Sequence, residues 1–473
     1  MKPADIAKIE WHFWHKRHRT PLYLFFIWNY PTKKYVDLGV DYTVKTHGAI
    51  VDSMVSSEKE LREMGNRVWK KEQAQPGFLL KFMQGIEKQN KQQIAKWIKW
   101  KNETYAGKTN SQLLQRYKEY LHDLEAYSPT IFVPLALEDQ LFAAGLKTLE
   151  KIGKVEAEKI LFQPVKPGIA IEEEESLLEI AIALKRGEKI EKKLQKHVEL
   201  FSWMKKNNYF MEFYDEKYYL ERANAIKSPE QKLGELREKI AKQEKAFEEL
   251  LFHSSEADRI TLQTVNHAIF FRSYRTEKIC QSSYYIIELF REIAKRAGLA
   301  SELDTAYLLP SEVENALLKK ADYRAIIADR KIAYTYITSP TGDIIAGGDA
   351  ALECLRYFEK TQKSKAGKEA RGMVTCKGYA KGRAVIVRNA GQLNKVKQGN
   401  IMIAHSTMPD YVPALKLVKG LVTEEGGILC HAALVSREMQ IPCIVGAKHA
   451  TEIFKDGDEV EIDTATGVVR KVV

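Results

Sequence analysis

The sequence predicts a multidomain α plus α/β protein, with a mostly α-helical N-terminal region followed by a compact α/β domain of about 100 residues. Three observations predict it. A helical period dominates up to about residue 360, the period changes near Arg330, and from Gly372 onward the composition shifts to Val, Ile and Gly. The 473 residues allow roughly two to four domains. With 45% hydrophobic and 29% charged residues, the chain is neither a disordered tail nor a membrane protein.

The elements follow in order. Residues 1 to about 60 are crowded with Trp, Tyr, Phe and His, and 30–44 is expected to include extended structure. The cluster Trp11-His12-Phe13-Trp14-His15, with His18, matches no metal-ligand spacing and reads as helix-spaced core. Pro164, Pro167 and Gly168, followed by the acidic run Glu172 to Glu175, mark a loop between two helical groups. Two helix starts are marked by Ser-Pro-Glu-Gln at Ser228 and by Ser311 after Pro310, each with capping-box chemistry. Ile286, Leu289, Phe290 and Ile293 fall at i, i+3, i+4 and i+7, and Gly298 sits where that helix should stop.

Ile332 to Ile337 is β-rich, Ser339 to Asp343 is turn chemistry, and Ile344-Ile345 resumes extended character, which together predict a hairpin. Lys360 to Arg371 is polar and reads as an exposed linker. Beyond it, short apolar runs at Ala384–Val387, Ile401–Ala404, Ile441–Val445 and Val460–Ile462 alternate with helical segments around Val412–Lys419 and His431–Met439. The expected organisation is therefore helical subdomains at 1–165 and 166–359, a linker at 360–371 and an α/β domain at 372–473.

Composition also bounds partners. The net charge of +11 permits an anionic ligand, but 372–473 holds only 13 Lys+Arg against 10 Asp+Glu, so no nucleic-acid partner is expected. Five scattered cysteines without a Cys-x-x-Cys pair argue against a zinc ribbon or a disulfide framework, and no metal site is expected. The early apolar run Leu22 to Trp28 is far short of the ~20 residues a membrane helix needs. No cleavable leader pattern accompanies it. No membrane partner is expected, and a cytoplasmic location is.

The chemistry concentrates in Thr423 to Gly446, TEEGGILCHAALVSREMQIPCIVG. A strand ending near Val422 runs into Gly426-Gly427, and a helix opens at or near His431. Paired glycines let the backbone turn sharply and bare its N–H groups. A helix N-terminus adds orphan donors and roughly half a positive charge, which favours an anion. A histidine there is disfavoured as a cation, so it is expected to be neutral and nucleophilic near pH 7, with phosphoryl oxygens held by neighbouring N–H groups. The same residues also suit a plain helix cap and turn.

This segment resembles the phosphohistidine signature of the mobile domain of PEP-utilising enzymes. That family includes PEP synthase, pyruvate phosphate dikinase, the first enzyme of the sugar phosphotransferase system and rifampicin phosphotransferase. The resemblance extends over 372–473. Lys377 to Ala384 (KGYAKGRA) is similar to the opening of that domain, Ser406 to Asp410 to its Thr-x-Pro loop, and Asp456-Gly457-Asp458 to its final turn. It implies a β/β/α swivelling domain tethered by linkers, with His431 as the phosphorylated residue. Gly426, Gly427, Cys430 and Arg437 are the accompanying candidates for holding phosphate. Arg437, six residues beyond His431 and off its helix face, suits a structural ion pair as well. Many members have Thr or Ser two residues before the histidine, where this chain has Leu429.

Full-length members pair the carrier with an ATP-grasp domain, a PEP-binding barrel, or both. Here the first 360 residues show no long βαβ alternation and no glycine-rich phosphate loop. They are more similar to the helical region preceding the mobile domain in PEP-synthase-like and rifampicin-phosphotransferase-like proteins, through Lys196–Trp203, Phe270–Arg275, Tyr307–Glu312 and the hairpin. By that analogy Arg272, Arg275 and Lys278 are candidates for acceptor binding or docking. The expected function is a phosphotransferase component, kinase-type, passing phosphate from an ATP-dependent or PEP-dependent partner to a small-molecule acceptor. The expected partner is a separate ATP-grasp nucleotide-binding protein. No cofactor is expected in this chain itself, and Mg2+ and ATP would come with that partner. The alternative is a non-enzymatic phosphohistidine regulator or docking protein.

Overall fold

The structure is a computed structural model that describes residues 1–16, 20–22, 40, 42, 44–125, 136–204, 213–363, 369–388, 390–407, 411–427 and 430–472. The chain divides into two compact units, one of residues 1–3 and 9–354, the other of residues 4–8 and 355–473.

In the first unit, strands β1 (Trp11–Lys16), β2 (His47–Ile50) and β3 (Ser53–Ser57) precede helices α1 (Glu58–Ala74), α2 (Phe78–Lys101), α3 (Asn110–Glu125) and α4 (Glu138–Lys151). Then come α5 (Ile169–Lys185), α6 (Glu191–Phe201), α7 (Glu216–Ala225), α8 (Pro229–Phe252) and the 41-residue α9 (Glu256–Arg296). Helices α10 (Pro310–Lys319) and α11 (Arg324–Ile332) lead into strands β4 (Tyr334–Thr338) and β5 (Ile344–Gly347). The apolar stripe expected on α9 is realised, since Ile286, Leu289, Phe290 and Ile293 are all buried. Burying such a side chain contributes about 1.5–3 kcal/mol, so tertiary packing, more than propensity, stabilises α9.

β4 and β5 form the expected hairpin, with Ile337 opposite Ile344. They are not alone. β2 pairs with β4, and the antiparallel sheet runs β1-β3-β2-β4-β5, so residues near the start of the chain share a sheet with residues beyond 330. Gly48 makes this approach possible, because a Cβ there would lie 2.0 Å from the Tyr336 carbonyl oxygen.

Several expectations need correcting here. Trp11 to His15 is not helix-spaced but forms most of edge strand β1, whose backbone pairs with β3, although Trp11 is buried as expected of core. His18 and residues 30–39, 41 and 43 lie outside the described residues. No division falls at 165/166, because α9 packs against helices from both sides of that boundary, and Val165 N donates to Asn266 Oδ1 at 3.1 Å. The acidic run Glu172 to Glu175 lies inside α5, where carboxylates near the helix start are favoured by the dipole. Helix α10 starts at Pro310 rather than after Ser311, with Glu312 Oε2 accepting from Leu309 N at 2.8 Å. Residues 360–371 are largely structured: α12 (Gly348–Lys363) runs through Lys363, Glu369–Arg371 is a strand, and 364–368 lie outside the described residues.

The second unit holds β6 (Glu369–Arg371), β7 (Met373–Cys376), β8 (Tyr379–Val387), β9 (Ile401–Ala404), β10 (Gly420–Thr423), helix α13 (His431–Met439), β11 (Cys443–Val445), β12 (Glu459–Asp463) and β13 (Val468–Lys471). Strand β8 serves two neighbours. Its first half pairs antiparallel with β12 and its second half pairs parallel with β9. The parallel core β8-β9-β10-β11 carries β7 antiparallel at its edge, and β12, β13 and β6 extend the other side.

Alternation along these strands defines three layers. Ile386, Ile401, Ile403, Val422 and Ile444 face one way, against Ala380, Val460, Ile462 and Val469 of the antiparallel half. Val385, Val387, Met402, Leu421, Cys443 and Val445 face the other way, against Ala432 and Val435 of α13. Both faces of the central strands are thus covered, as parallel strands require, and the unit is β/β/α.

Candidate functional site

The site lies at the carboxyl ends of β9 and β10, where parallel strands conventionally present ligand-binding loops. After Thr423 the chain leaves the sheet, but two further backbone bonds hold it: Glu424 N donates to Ala404 O at 3.0 Å and Glu425 N to His405 O at 2.9 Å. Thr423 Oγ1 donates to Glu425 O at 2.7 Å and tightens the turn. Gly426 then takes φ +110°, a conformation that side-chain-bearing residues avoid. Cys430 N donates to Gly427 O at 3.0 Å, and Cys430 is the N-cap of α13 with no side-chain cap bond. His431 is the first residue of α13. The sequence-derived turn and helix start are therefore realised. The side chain of His431, together with Leu429 and Met408 to Asp410, lies outside the described residues.

Helix α13 is fixed by its buried face and by Arg437, whose Nε donates to Thr375 O at 2.9 Å on β7. That bond ties the helix to the sheet about 9 Å of axial rise from His431. The Cys430 sulfur packs toward Gly426, since a Cβ on the glycine would lie 2.6 Å from it. Of the more distant candidates, all on α9, Arg272 Nη1 donates to Glu138 Oε1 at 2.8 Å. Arg275 and Lys278 are buried, and Lys278 donates to Gln281 Oε1 at 3.1 Å, with burial pulling its pKa down. A cleft of about 290 Å³ in the same unit is lined by Lys101, Phe213, Tyr284 and Arg291, among others, and by none of those three.

Sequence reasoning missed a cluster beside the turn. His405 follows β9 directly, and its Nδ1 lies 2.8 Å from Glu424 Oε2 and its Nε2 2.9 Å from Glu425 Oε1. Despite burial, which favours the neutral ring, the two carboxylates push the His405 pKa up to about 9. Glu424 is held below its ordinary value; burial opposes this, but bonds from His405 and Thr451 outweigh it. The available signal was two consecutive glutamates before Gly426 and a histidine ending the neighbouring parallel strand, whose carboxyl ends must meet. Among the described residues, no group of three or more His, Cys, Asp or Glu is arranged to hold a metal ion. The His405 cluster fits this, because both ring nitrogens already face carboxylates. No described helix is long and apolar enough to cross a membrane.

The second unit is thus a β/β/α domain in which a diglycine turn precedes a histidine-led helix. Residues 396–467 match the family described as PEP-utilising enzyme, mobile domain, and the second unit carries that domain. A probable phosphoenolpyruvate synthase of Methanothermobacter thermautotrophicus is 46% identical over 99 residues, 21% of this chain and 14% of that protein. A probable phosphoenolpyruvate synthase of Pyrococcus horikoshii is 32% identical over 180 residues, 38% of this chain and 20% of that protein. The uncharacterized phosphotransferase YvkC of Bacillus subtilis is 26% identical over 197 residues, 40% of this chain and 23% of that protein. The last two matches are longer than 372–473 and so reach into the helical region. The chain spans less than a quarter of the length of these three relatives. Among solved structures, holo aconitase X of Thermococcus kodakaraensis is similar at 17% identity over 23% of this chain and all of that one, with a TM-score of 0.19.

Proposed function

We propose that this protein is a phosphotransferase component in which His431 carries a phosphoryl group from an ATP-dependent or PEP-dependent partner to a small-molecule acceptor. The observation that carries the reading is the position of His431 as first residue of α13, four residues beyond Gly427, in a domain of the PEP-utilising type. An imidazole nitrogen attacks phosphorus, the P–O bond to the leaving group breaks, and the ring's N–H proton ends on the departing oxygen. Backbone N–H groups at the helix start and in the turn receive the phosphoryl oxygens. Phosphoenolpyruvate synthases among the relatives make pyruvate the first acceptor to test, with PEP as the product of its phosphorylation.

A separate ATP-grasp protein, with its own Mg2+, would supply the phosphoryl group, since the magnesium neutralises charge on the transferring phosphate. The helical unit would receive the acceptor. The test is incubation with radiolabelled ATP and such a partner, or with labelled PEP. An acid-labile, alkali-stable label that is lost in His431→Ala supports the reading. Label that persists in that variant overturns the site. Label that stays on the protein in the presence of pyruvate and other metabolites points instead to a regulator.

A further inference from the structure

The contacts around His405 favour its protonated form. A neutral imidazole has one N–H donor and one lone pair, so only one of its nitrogens can face a carboxylate favourably. Here Nδ1 is hydrogen-bonded to Glu424 Oε2 at 2.8 Å, and Nε2 lies 2.9 Å from Glu425 Oε1, an ion-pair contact without hydrogen-bond alignment. A carboxylate close to each nitrogen favours the imidazolium over either neutral tautomer. The groups are largely withdrawn from solvent, with side chains 30%, 13% and 12% exposed for His405, Glu424 and Glu425. Thr451 completes the arrangement by donating from N and from Oγ1 to Glu424 Oε1, each at 2.7 Å.

Two consecutive carboxylates immediately before Gly426-Gly427 are a poor neighbour for a phosphoryl dianion. Without a cation between them they would also repel each other, and Glu425 begins the turn itself. The His405 ring answers both problems at once. It cancels one of the two charges, and it pins the first residue of the turn to the end of β9, in register with the backbone bond from Glu425 N to His405 O. Among the described residues, Glu424 and Glu425 are charged groups that face the ring, and Thr451 braces the first of them from the helical turn Ala450–Ile453.

We infer that His405 is a positioning residue for phosphoryl uptake at His431, acting as an imidazolium clamp on Glu424 and Glu425 that sets the shape and the charge of the diglycine turn. This rests on the carrier reading of His431. The raised pKa of His405, about 9, agrees with the geometry and gives the clamp a pH limit.

The test uses the full chain and phosphoramidate, a small donor that needs no partner enzyme. The His431 imidazole takes the phosphoryl group, the P–N bond breaks, and ammonia leaves with the ring proton as ammonium. Uptake is followed by phosphorus NMR from about pH 7.5 to about pH 10.5, a range chosen to bracket the raised histidine pKa. Each rate is divided by that of N-acetylhistidine at the same pH, which removes the donor's own titration. For the unmodified chain the ratio is expected to hold near neutrality and to fall on the order of tenfold through about pH 9, the effect of one unit charge across the breadth of a loop. His405→Gln is expected to be slower by a similar factor at neutral pH, with a flat ratio. His405→Gln with Glu425→Gln, which removes the stranded carboxylate, is expected to recover most of the rate while staying flat.

A His405→Gln chain that matches the unmodified rate and keeps the alkaline fall overturns the clamp alone. An unmodified chain in which His431 takes up no phosphoryl group overturns the carrier reading and the clamp with it. Should His405→Gln fail to fold, the double variant and the profile of the unmodified chain still decide, because a merely structural histidine leaves that profile level.

Discussion

Gly426 and Cys430 pack so closely that a Cβ on the glycine would lie 2.6 Å from the cysteine sulfur. With φ at +110°, Gly426 is confined twice over, by backbone conformation and by the residue that caps α13. The backbone at Gly426 is therefore set by a missing side chain.

Gly426→Ala is accordingly expected to cost roughly 1–3 kcal/mol of stability in the second unit, the usual range for a residue forced into a glycine-only conformation. Thermal unfolding reads this directly. Phosphoryl uptake should fall by more than the stability loss explains, because the helix start moves with the turn. A variant with unchanged melting and unchanged uptake would show that the turn has slack.

Stability should also depend on pH through His405. Its folded pKa, about 9, lies above the ordinary histidine value near 6.5, so the contribution is fully present below about pH 6.5 and is lost as pH rises through about 9. Glu424 works in the opposite sense. Its folded pKa is lowered, so its contribution is present above the ordinary carboxylate value and is lost as pH falls through the depressed one. A plateau between the two, with an alkaline loss on the order of 1–3 kcal/mol, is expected in urea unfolding of the second unit. That alkaline limb should be absent from His405→Gln.

In the first unit, Glu312 holds three groups at once. It accepts from Leu309 N at 2.8 Å, from Arg330 Nη1 at 2.6 Å and from Arg330 Nη2 at 2.8 Å, while Nη1 also donates to Tyr307 O at 2.8 Å. The Arg330 side chain is only 6% exposed. Glu312→Ala would strand a buried guanidinium and uncap α10, a loss of about 3–5 kcal/mol. Chemical denaturation monitored in this unit should show the midpoint fall, and a loss below about 1 kcal/mol would contradict the account.

Cys443 offers a reactivity test. Burial pushes its thiol up to about 12, against hydrogen bonds with Thr375 and Ser436 that pull it down. Hardly any thiolate exists near pH 7, so iodoacetamide should leave Cys443 unmodified in the folded chain and alkylate it after unfolding. Peptide mass mapping distinguishes the two, and rapid native labelling would mean that the core beneath α13 opens.

What the sequence disclosed followed from how local each signal was. Strand β9 and helix α13 were legible to the residue, because a short continuous apolar run and the diglycine turn lie within or next to the elements they define. The pairing of Gly48 with Ile337 was not, since no local pattern states which distant strand a strand will join. Trp11 to His15 misled for a related reason: a run of large aromatic and basic side chains carries no clean period of two, and its strand character comes from β3 alongside. The His405 clamp required knowing that the ends of β9 and β10 lie side by side, which the parallel order supplies and the linear sequence does not. The turn and helix start were read correctly, and the charges that frame them were not.

The most direct test of the central claim is tandem mass spectrometry of the chain after phosphoryl loading, with digestion kept at alkaline pH so that a phosphoramidate bond survives. The account predicts a phosphoryl group on the peptide containing His431, localised to that residue and absent from His431→Ala. A loaded chain whose phosphate maps to any other histidine, or to a serine or threonine that retains it in acid, would contradict it.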